Sequence, residues 1–219
     1  LIDETSVRDP AAADDYYRSK ILADEKVTRF LTSHPDFKAN YGLPGWMWGP
    51  GDIGPTSSGQ VALDTVLGKL PGLVPGSFSV VDARDVAEAE IAAAEHGRRG
   101  ERYLAAGRHM TMHELVSLIG RVAGVKTRSR SIPLPMLYLI ATVQEAYARI
   151  SGKPILLSLA TVRLMAHEAD RTRFSHTKSE RELGLKFRPV EETVADTIAW
   201  YRANGWLSSN AARPTLKAA

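Results

Sequence analysis

Near the start of the chain, Ile21, Leu22, Val27, Phe30 and Leu31 recur at roughly helical spacing behind the acidic pair Asp14 and Asp15. Acidic side chains favour a helix N-terminus, so the pattern predicts a helix over about residues 15–33. Phe37 to Leu43 reads as a short strand stopped by Pro44-Gly45. The run Gly49-Pro50-Gly51-Asp52-Ile53-Gly54-Pro55 fits no regular element and is expected to form a loop. Phe78 to Val81 reads as a buried strand, and Asp82 with Asp85 as the capped entry to a helix. That helix is expected to bury Val86, Ala87, Ile91 and Ala94 and to end near Gly97. Glu101 to Ala105 is a further strand. Thr111 and Glu114 have capping-box spacing ahead of Leu115, Leu118, Ile119 and Val122, with Gly124 as the stop. Thr177 and Glu180 repeat that spacing before Gly184. Val190, Val194, Ile198 and Tyr201 mark a last helix closing near Gly205, and the tail from Ser208 is expected to be loose.

Strands alternating with helices predict an α/β fold with a parallel sheet, and the helix-rich stretch from about 111 to 205 predicts a second, mostly helical lobe. At 219 residues the chain can bury a core. A net charge of +3, with basic residues dispersed among 25 acidic ones, gives no expectation of nucleic-acid binding. The absence of cysteine excludes disulfides and thiolate metal sites and fits the cytoplasm. The longest uncharged stretch, Ser131 to Gln144, is broken by Pro133 and Pro135 and too short to span a bilayer, so no membrane partner is expected. Its apolar part, Ile132 to Val143, is expected to pack in the second lobe and to offer a wall to a substrate cleft. The N-terminus, Leu1-Ile2-Asp3-Glu4, lacks an initiator Met and signal-peptide regions, and reads as a chain entered part-way through.

Tyr16 and Lys20 stand four apart near the start of the first helix, so both side chains emerge on one face and can share a ligand. A phenol with a pKa of about 10 needs ~4 kcal/mol of phenolate stabilisation to serve as a base near neutral pH. An ammonium ~4 Å away supplies roughly that amount at an effective dielectric of 20. With seven tyrosines and nine lysines in the chain, chance alone gives roughly 0.3 such pairs, so the spacing is weak by itself.

Context strengthens it. The run Asp15-Tyr16-Tyr17-Arg18-Ser19-Lys20-Ile21-Leu22-Ala23-Asp24-Glu25 resembles the active-site helix of extended short-chain dehydrogenases/reductases, closest to dihydroflavonol reductase-like and NAD-dependent epimerase/dehydratase members. Leu43 to Asp52 is similar to that family's strand end and loop beside the nicotinamide, Val80 to Ala87 to its Val-Asp-x-x-Asp-Val-Ala segment, and Glu180 to Gly205 to its C-terminal helices. The resemblance covers about residues 1–207.

The resemblance implies a Rossmann-like parallel sheet, of which the later part is present, with a smaller, mostly helical substrate lobe. Residues 1–48 and 77–106 would belong to the NAD(P)-binding domain, 49–76 and 107–207 to the lobe, and 208–219 to the tail. It implies hydride transfer between nicotinamide and a carbonyl or alcohol substrate. Tyr16 would be the acid/base, and Lys20 would assist it and hold the nicotinamide ribose. Pro44, Gly45, Trp46 and Met47 would line the nicotinamide side. A strand-terminating turn with buried aromatics explains Trp48 better and Trp46 equally well. The cofactor would be NAD or NADP, with NADP slightly favoured, and a homodimer is compatible. Asp82, Arg84 and Asp85 are expected to be structural. The alternatives are a nucleotide-sugar epimerase or dehydratase, and a non-catalytic Rossmann-like sensor or scaffold.

His109 and His113 stand four apart beside Glu114, but His113 and Glu114 fall in the capping box, His109 lies outside the helix and no third ligand is evident, so no metal is expected. Arg171, Arg173, Lys178 and Arg181 read as a solvated face rather than a phosphate site. No Gly-x-x-Gly-x-x-Gly turn occurs, and the family's catalytic Ser or Thr is expected upstream, Thr5 and Ser6 being too close to the helix. The 219-residue chain alone is therefore expected to bind a dinucleotide poorly. Titration that finds micromolar affinity for NAD(P)H would overturn this.

Overall fold

A computed structural model describes residues 1–6, 13, 15–70, 72–127, 130–151, 159, 162–163 and 172–207. The first helix, α1 (Asp15–Ser33), has the expected bounds, followed by strands β1 (Tyr41–Pro44) and β2 (Trp46–Trp48) and helix α2 (Ser57–Val66). Then come β3 (Ser77–Asp82), α3 (Ala83–His96), β4 (Arg102–Ala105), β5 (Arg108–Thr111) and α4 (Met112–Ala123). The described C-terminal helices are α5 (Leu134–Ser151), α6 (Thr177–Leu183) and α7 (Val190–Ala203). The tail expected from Ser208 and the basic residue Arg171 lie outside the described residues.

The strands form two sheets, and the chain changes sheet twice at nearly the same place. Parallel β1 and β4 pair from Tyr41 with Arg102 to Pro44 with Ala105. β2 runs parallel to β3, Trp48 opposite Asp82, while β5 runs antiparallel along the other edge of β3, Ser77 opposite Thr111. Gly45 carries the chain from β1 to β2, and Ala106-Gly107 carries it from β4 to β5. A Cβ on Gly45 would lie 2.4 Å from the Ala106 carbonyl oxygen and 2.6 Å from that of Ser79. Gly107, at φ +70°, approaches the Val80 carbonyl as closely. These positions tolerate no side chain.

Apolar burial fixes the layers. Trp48, Val80 and Met110 of the three-stranded sheet pack against Leu63 of α2, Leu115 and Ile119 of α4, and Val194 and Ile198 of α7. The capping box forms on α4: the Thr111 hydroxyl accepts from the Glu114 amide, the Glu114 carboxylate accepts from the Thr111 amide, and Gly124 closes the helix in a left-handed turn. On the other side Val81, Val86, Ala89 and Ala105 form a second cluster.

Several expectations are corrected. α3 buries Asp85, Val86, Ala89 and Ala93, whereas Ile91 is 60% exposed and Ala87 and Ala94 face solvent. The reason is ionic: the buried carboxylate of Asp85 accepts from the Arg188 backbone amide and pairs with its guanidinium, which turns that side of the helix inward. In α1 only Leu31 is buried, because polar contacts dock the helix. These are Thr28 Oγ1 to the Tyr41 hydroxyl at 2.7 Å, Asp24 to Arg102 at 3.2 Å, and Arg99 donating to the carbonyls of Leu31, His34 and Phe37. The expected strand from Phe37 begins only at Tyr41. Thr177 and Glu180 form no capping box, since the helix starts at Thr177 and His176 holds the cap position. Lys178 is not part of a solvated face: it donates to Glu101 at 2.6 Å and to the Arg102 carbonyl at 2.8 Å.

Asp82 caps α3 by accepting from the Arg84 amide, and its buried carboxylate also takes the Arg84 guanidinium, which reaches on to Asp196 of α7 at 2.8 Å. The Gly/Pro loop is closed in a similar way. Asp52 accepts from the Thr56 amide and hydroxyl and, at 2.8 Å, from the Tyr201 hydroxyl of α7. Gly59 of α2 lies under this cluster, where a Cβ would sit 1.8 Å from the Tyr201 hydroxyl and 2.1 Å from Asp52.

Gly59→Ala should therefore destabilise the protein by about 1–3 kcal/mol, because the cluster must move apart to admit the methyl group. Urea denaturation measures it, and an unchanged midpoint would show that the cluster moves at no cost. Burial alone would raise the Asp82 pKa, but hydrogen bonds from the Arg84 side chain and backbone outweigh it and leave the carboxyl below its ordinary value. The contribution of the pair is then present above the unfolded pKa of about 3.9 and lost as pH falls through the lower folded value. Arg84→Met should cost about 1–2 kcal/mol at neutral pH, a gap that closes below about pH 4. Unfolding curves at neutral and acidic pH test both the size and the sign.

Candidate active site

Tyr16 and Lys20 occupy the first two turns of α1, and both are exposed, Tyr16 at 64%. The Lys20 Nζ lies 5.4 Å from the centroid of the Tyr16 ring, so the two side chains touch across one helical turn. Tyr17 stands edge-on to Tyr16 with centroids 5.5 Å apart, and the Ser19 hydroxyl donates to the Tyr16 carbonyl.

Which end of the unit this pair occupies follows from the anchors of α1. Arg99, just ahead of β4, binds carbonyls at the C-terminal end of the helix, while Arg102, three residues on, pairs with Asp24 near its middle. β4, and β1 parallel to it, therefore advance toward the N-terminus of α1. From Asp24 back to Tyr16 the helix covers about 12 Å, and β1 covers about 10 Å from Tyr41 to Pro44. Tyr16 and Lys20 thus stand at the end of the unit where β1 and β4 finish, and in open α/β sheets ligands bind outside the carboxyl ends of the strands.

Pro44 ends β1 with its side chain exposed, Gly45 makes the sheet crossing, and Met47 is 46% exposed. Trp46 is half-buried, tilted on Phe78 with centroids 4.7 Å apart and edge-on to Trp48, and its indole N–H donates to Ser57 at the start of α2. Trp48 is 2% exposed and belongs to the core. Asp82, Arg84 and Asp85 are engaged in the helix cap and the ion pairs to α7 and Arg188.

No local pattern marks Asp52 and Tyr201 as partners, because 149 positions separate them. Burial, and then the Asp52 carboxylate as acceptor, push the Tyr201 phenol well above its ordinary pKa, so it stays a donor. A pocket of about 230 Å³ opens beside this cluster, lined by Trp48, Gly49, Asp52, Thr56, Ala83 and Thr197 among others. It reaches Met47 in the middle of β2 and opens toward the end of that strand away from Gly45. Among the described residues no group of three His, Asp or Glu side chains is placed to hold a metal.

No family model matches the chain. It is 29% identical over 195 residues to sterol demethylase protein B of Methylococcus capsulatus, covering 88% of this chain and 58% of that protein. It is 24% identical over 165 residues to a putative dihydroflavonol 4-reductase of Synechocystis, covering 74% and 47%. A solved nucleoside-diphosphate-sugar epimerase of Pseudomonas aeruginosa superposes with a TM-score of 0.75 at 25% identity, over 94% of this chain and 61% of that one. At 15–17% identity the fold alone is shared with structures solved with NAD or NADPH bound. The chain thus spans about half to three fifths of the length of the proteins it matches. In sequence and in fold alike, it is a relative of the extended short-chain dehydrogenases/reductases, with their α/β, Rossmann-like architecture.

Proposed function

We propose that this chain is the later part of an NAD(P)-dependent oxidoreductase in which Tyr16 gives or takes the substrate proton. The observation that carries the reading is the exposed Tyr16–Lys20 pair on one face of α1, at the end of the unit where β1 and β4 finish. An acid/base must be open to its substrate, and a core tyrosine such as Tyr201, held as a donor by Asp52, could not serve.

The residues present fit the reactive end of a nicotinamide cofactor. Pro44 and Met47 offer exposed surface beside Gly45, and Lys20 carries three donors for ribose hydroxyls. The described residues include no glycine-rich turn for the pyrophosphate, so the fit concerns the nicotinamide end alone. When bound, the nicotinamide supplies or accepts the hydride. Tyr16 then donates the proton to the oxygen of a carbonyl being reduced, or removes it from an alcohol being oxidised, and the Lys20 ammonium stabilises the phenolate left behind. In this reading the cofactor domain, residues 1–48 and 77–106, holds β1 to β4, and the lobe, 49–76 and 107–207, holds α2, β5, α4 and α7, with β5 joining the two through its pairing with β3. The cysteine-free composition fits a cytoplasmic protein.

An apolar, ring-bearing carbonyl or alcohol is the favoured substrate. Trp46, Phe78 and exposed Met47 present aromatic and thioether surface near Gly45, and the curated relatives carry the words sterol and dihydroflavonol in their names. The similarity to a nucleoside-diphosphate-sugar epimerase supports a second reading, which begins with the same hydride step. Product analysis separates them: a reductase consumes cofactor, an epimerase does not.

In the protein to which this chain belongs, Tyr16→Phe should lower turnover by on the order of 10²–10⁴-fold, with cofactor affinity close to wild type. Steady-state rates with NADH and NADPH, together with fluorescence titration of each, measure both quantities. Unchanged turnover would remove Tyr16 from the mechanism.

A further inference from the structure

The helix α5 buries one face and leaves the opposite one bare. Leu137 and Ala141 are buried with Val162, and Val74 and Ile132 pack against them. Around the other side, Met136, Leu139, Val143 and Tyr147 are 52%, 65%, 60% and 56% exposed. Their spacing of three, four and four residues aligns them in one stripe of about 16 Å. Pro135, Thr142 and Ala146 complete the exposed arc, which contains no charged residue. Even Thr142 offers no free donor there, because its hydroxyl donates to the Tyr138 carbonyl one turn back at 2.8 Å.

The sequence that flanks and carries this apolar face has charge of almost one sign. Between residues 121 and 151 the sequence holds five basic residues and a single acid, Glu145. Glu145 is turned toward the protein, where it accepts from the Leu159 amide at 2.7 Å. Lys126 and Arg130, before the helix, are exposed, as is Arg149, which flanks the apolar arc by helical position.

We infer that α5 is a membrane-surface element, seating Met136, Leu139, Val143 and Tyr147 at the headgroup–acyl boundary of an anionic bilayer while Lys126, Arg130 and Arg149 engage lipid phosphates. An interfacial helix combines an uncharged apolar face with basic flanks in this way. The helix lies along the surface, since no helix among the described residues is long and apolar enough to cross a membrane. A second copy of the chain is the weaker occupant. The four exposed side chains offer roughly 400 Å², about half of the ~800 Å² that each partner buries in a stable complex. Burial in lipid has no such threshold and gains from the surrounding positive charge, which a self-paired face would set against itself. The expectation of no membrane partner rested on this stretch being too short and too broken to span a bilayer, which a helix lying along the surface need not do. The inference does not depend on the oxidoreductase reading.

Vesicle co-sedimentation tests it, comparing phosphatidylcholine alone with phosphatidylcholine containing phosphatidylglycerol. The purified protein should pellet with the anionic vesicles at low salt and be released as salt rises. The double variant Leu139→Glu, Val143→Glu should lose at least ~10-fold in binding, since acids replace the inserted side chains. Arg130→Gln and Arg149→Gln, remote from the core, should each weaken it about 5-fold. Circular dichroism checks that the variants fold, and the arginine variants carry the test if the double variant does not. Failure to pellet with anionic vesicles, or pelleting that the folded variants retain in full, overturns the inference. So does equal binding to neutral vesicles, or a dimer in light scattering that Leu139→Glu dissolves in protein that ignores lipid.

Discussion

Two backbones can approach as closely as they do at Gly45 only where a side chain is missing. The Ala106 and Ser79 carbonyls lie where the Cβ of any other residue would stand. This contact lets the chain leave the β1–β4 sheet and enter the three-stranded sheet within one residue, directly beside the point where Ala106-Gly107 makes the same passage. The two crossings lock the sheets at a fixed offset. They also bring the end of β1 and the start of β2, with Pro44, Trp46 and Met47, to the end of the unit from which α1 departs.

Polar groups pin the layers that apolar packing alone would leave free to slide. Asp82 and Asp85, one turn apart on either side of the α3 entry, are both buried, and each is matched by an arginine that reaches another element: Arg84 to α7, and Arg188 from the approach to α7. A buried carboxylate that loses its partner keeps its desolvation cost, so neither acid can be separated from its arginine cheaply. Asp52 plays the corresponding role for the Gly/Pro loop, tying it to α2 and α7 through Thr56 and Tyr201. α7 is consequently held both at the loop and at α3, although its own face is a plain stripe of Val190, Val194, Ile198 and Tyr201.

Features set by neighbouring residues were legible in the sequence. The bounds of α1, the Thr111–Glu114 box and the stop at Gly124 all depend on groups within four positions of one another. Features set by distant partners were not. The buried face of α3 is decided by Arg188, a hundred residues away, and so Ile91 faces water where helical spacing placed it inside. At Thr177 the local pattern was right in type but off by one position, because His176 took the cap. α2, β2 and β5 carry no clear local marker: β2 and β5 are very short, and β2 follows β1 after a single residue, while α2 begins among serines with little apolar period. The contact between Tyr16 and Lys20 needs only one helical turn, whereas the Asp52–Tyr201 cluster needs the whole fold.

The resting contact between Tyr16 and Lys20 bears on whether the pair can work. The ammonium stands over the ring, 5.4 Å from its centroid, rather than at the hydroxyl oxygen alone. At an exposed site such a cation–π contact is worth about 0.5–1 kcal/mol, whereas a charge-assisted hydrogen bond to a ligand hydroxyl is worth about 1.5–3 kcal/mol. A ligand at this end can therefore draw the amine off the ring at a net gain. α1 itself need not move, because Arg99, Thr28 and Asp24 fix it from its middle to its C-terminal end. The side-chain rearrangement that the proposed chemistry requires is confined to a lysine on an anchored helix, where the cost is small and the direction is set by what binds.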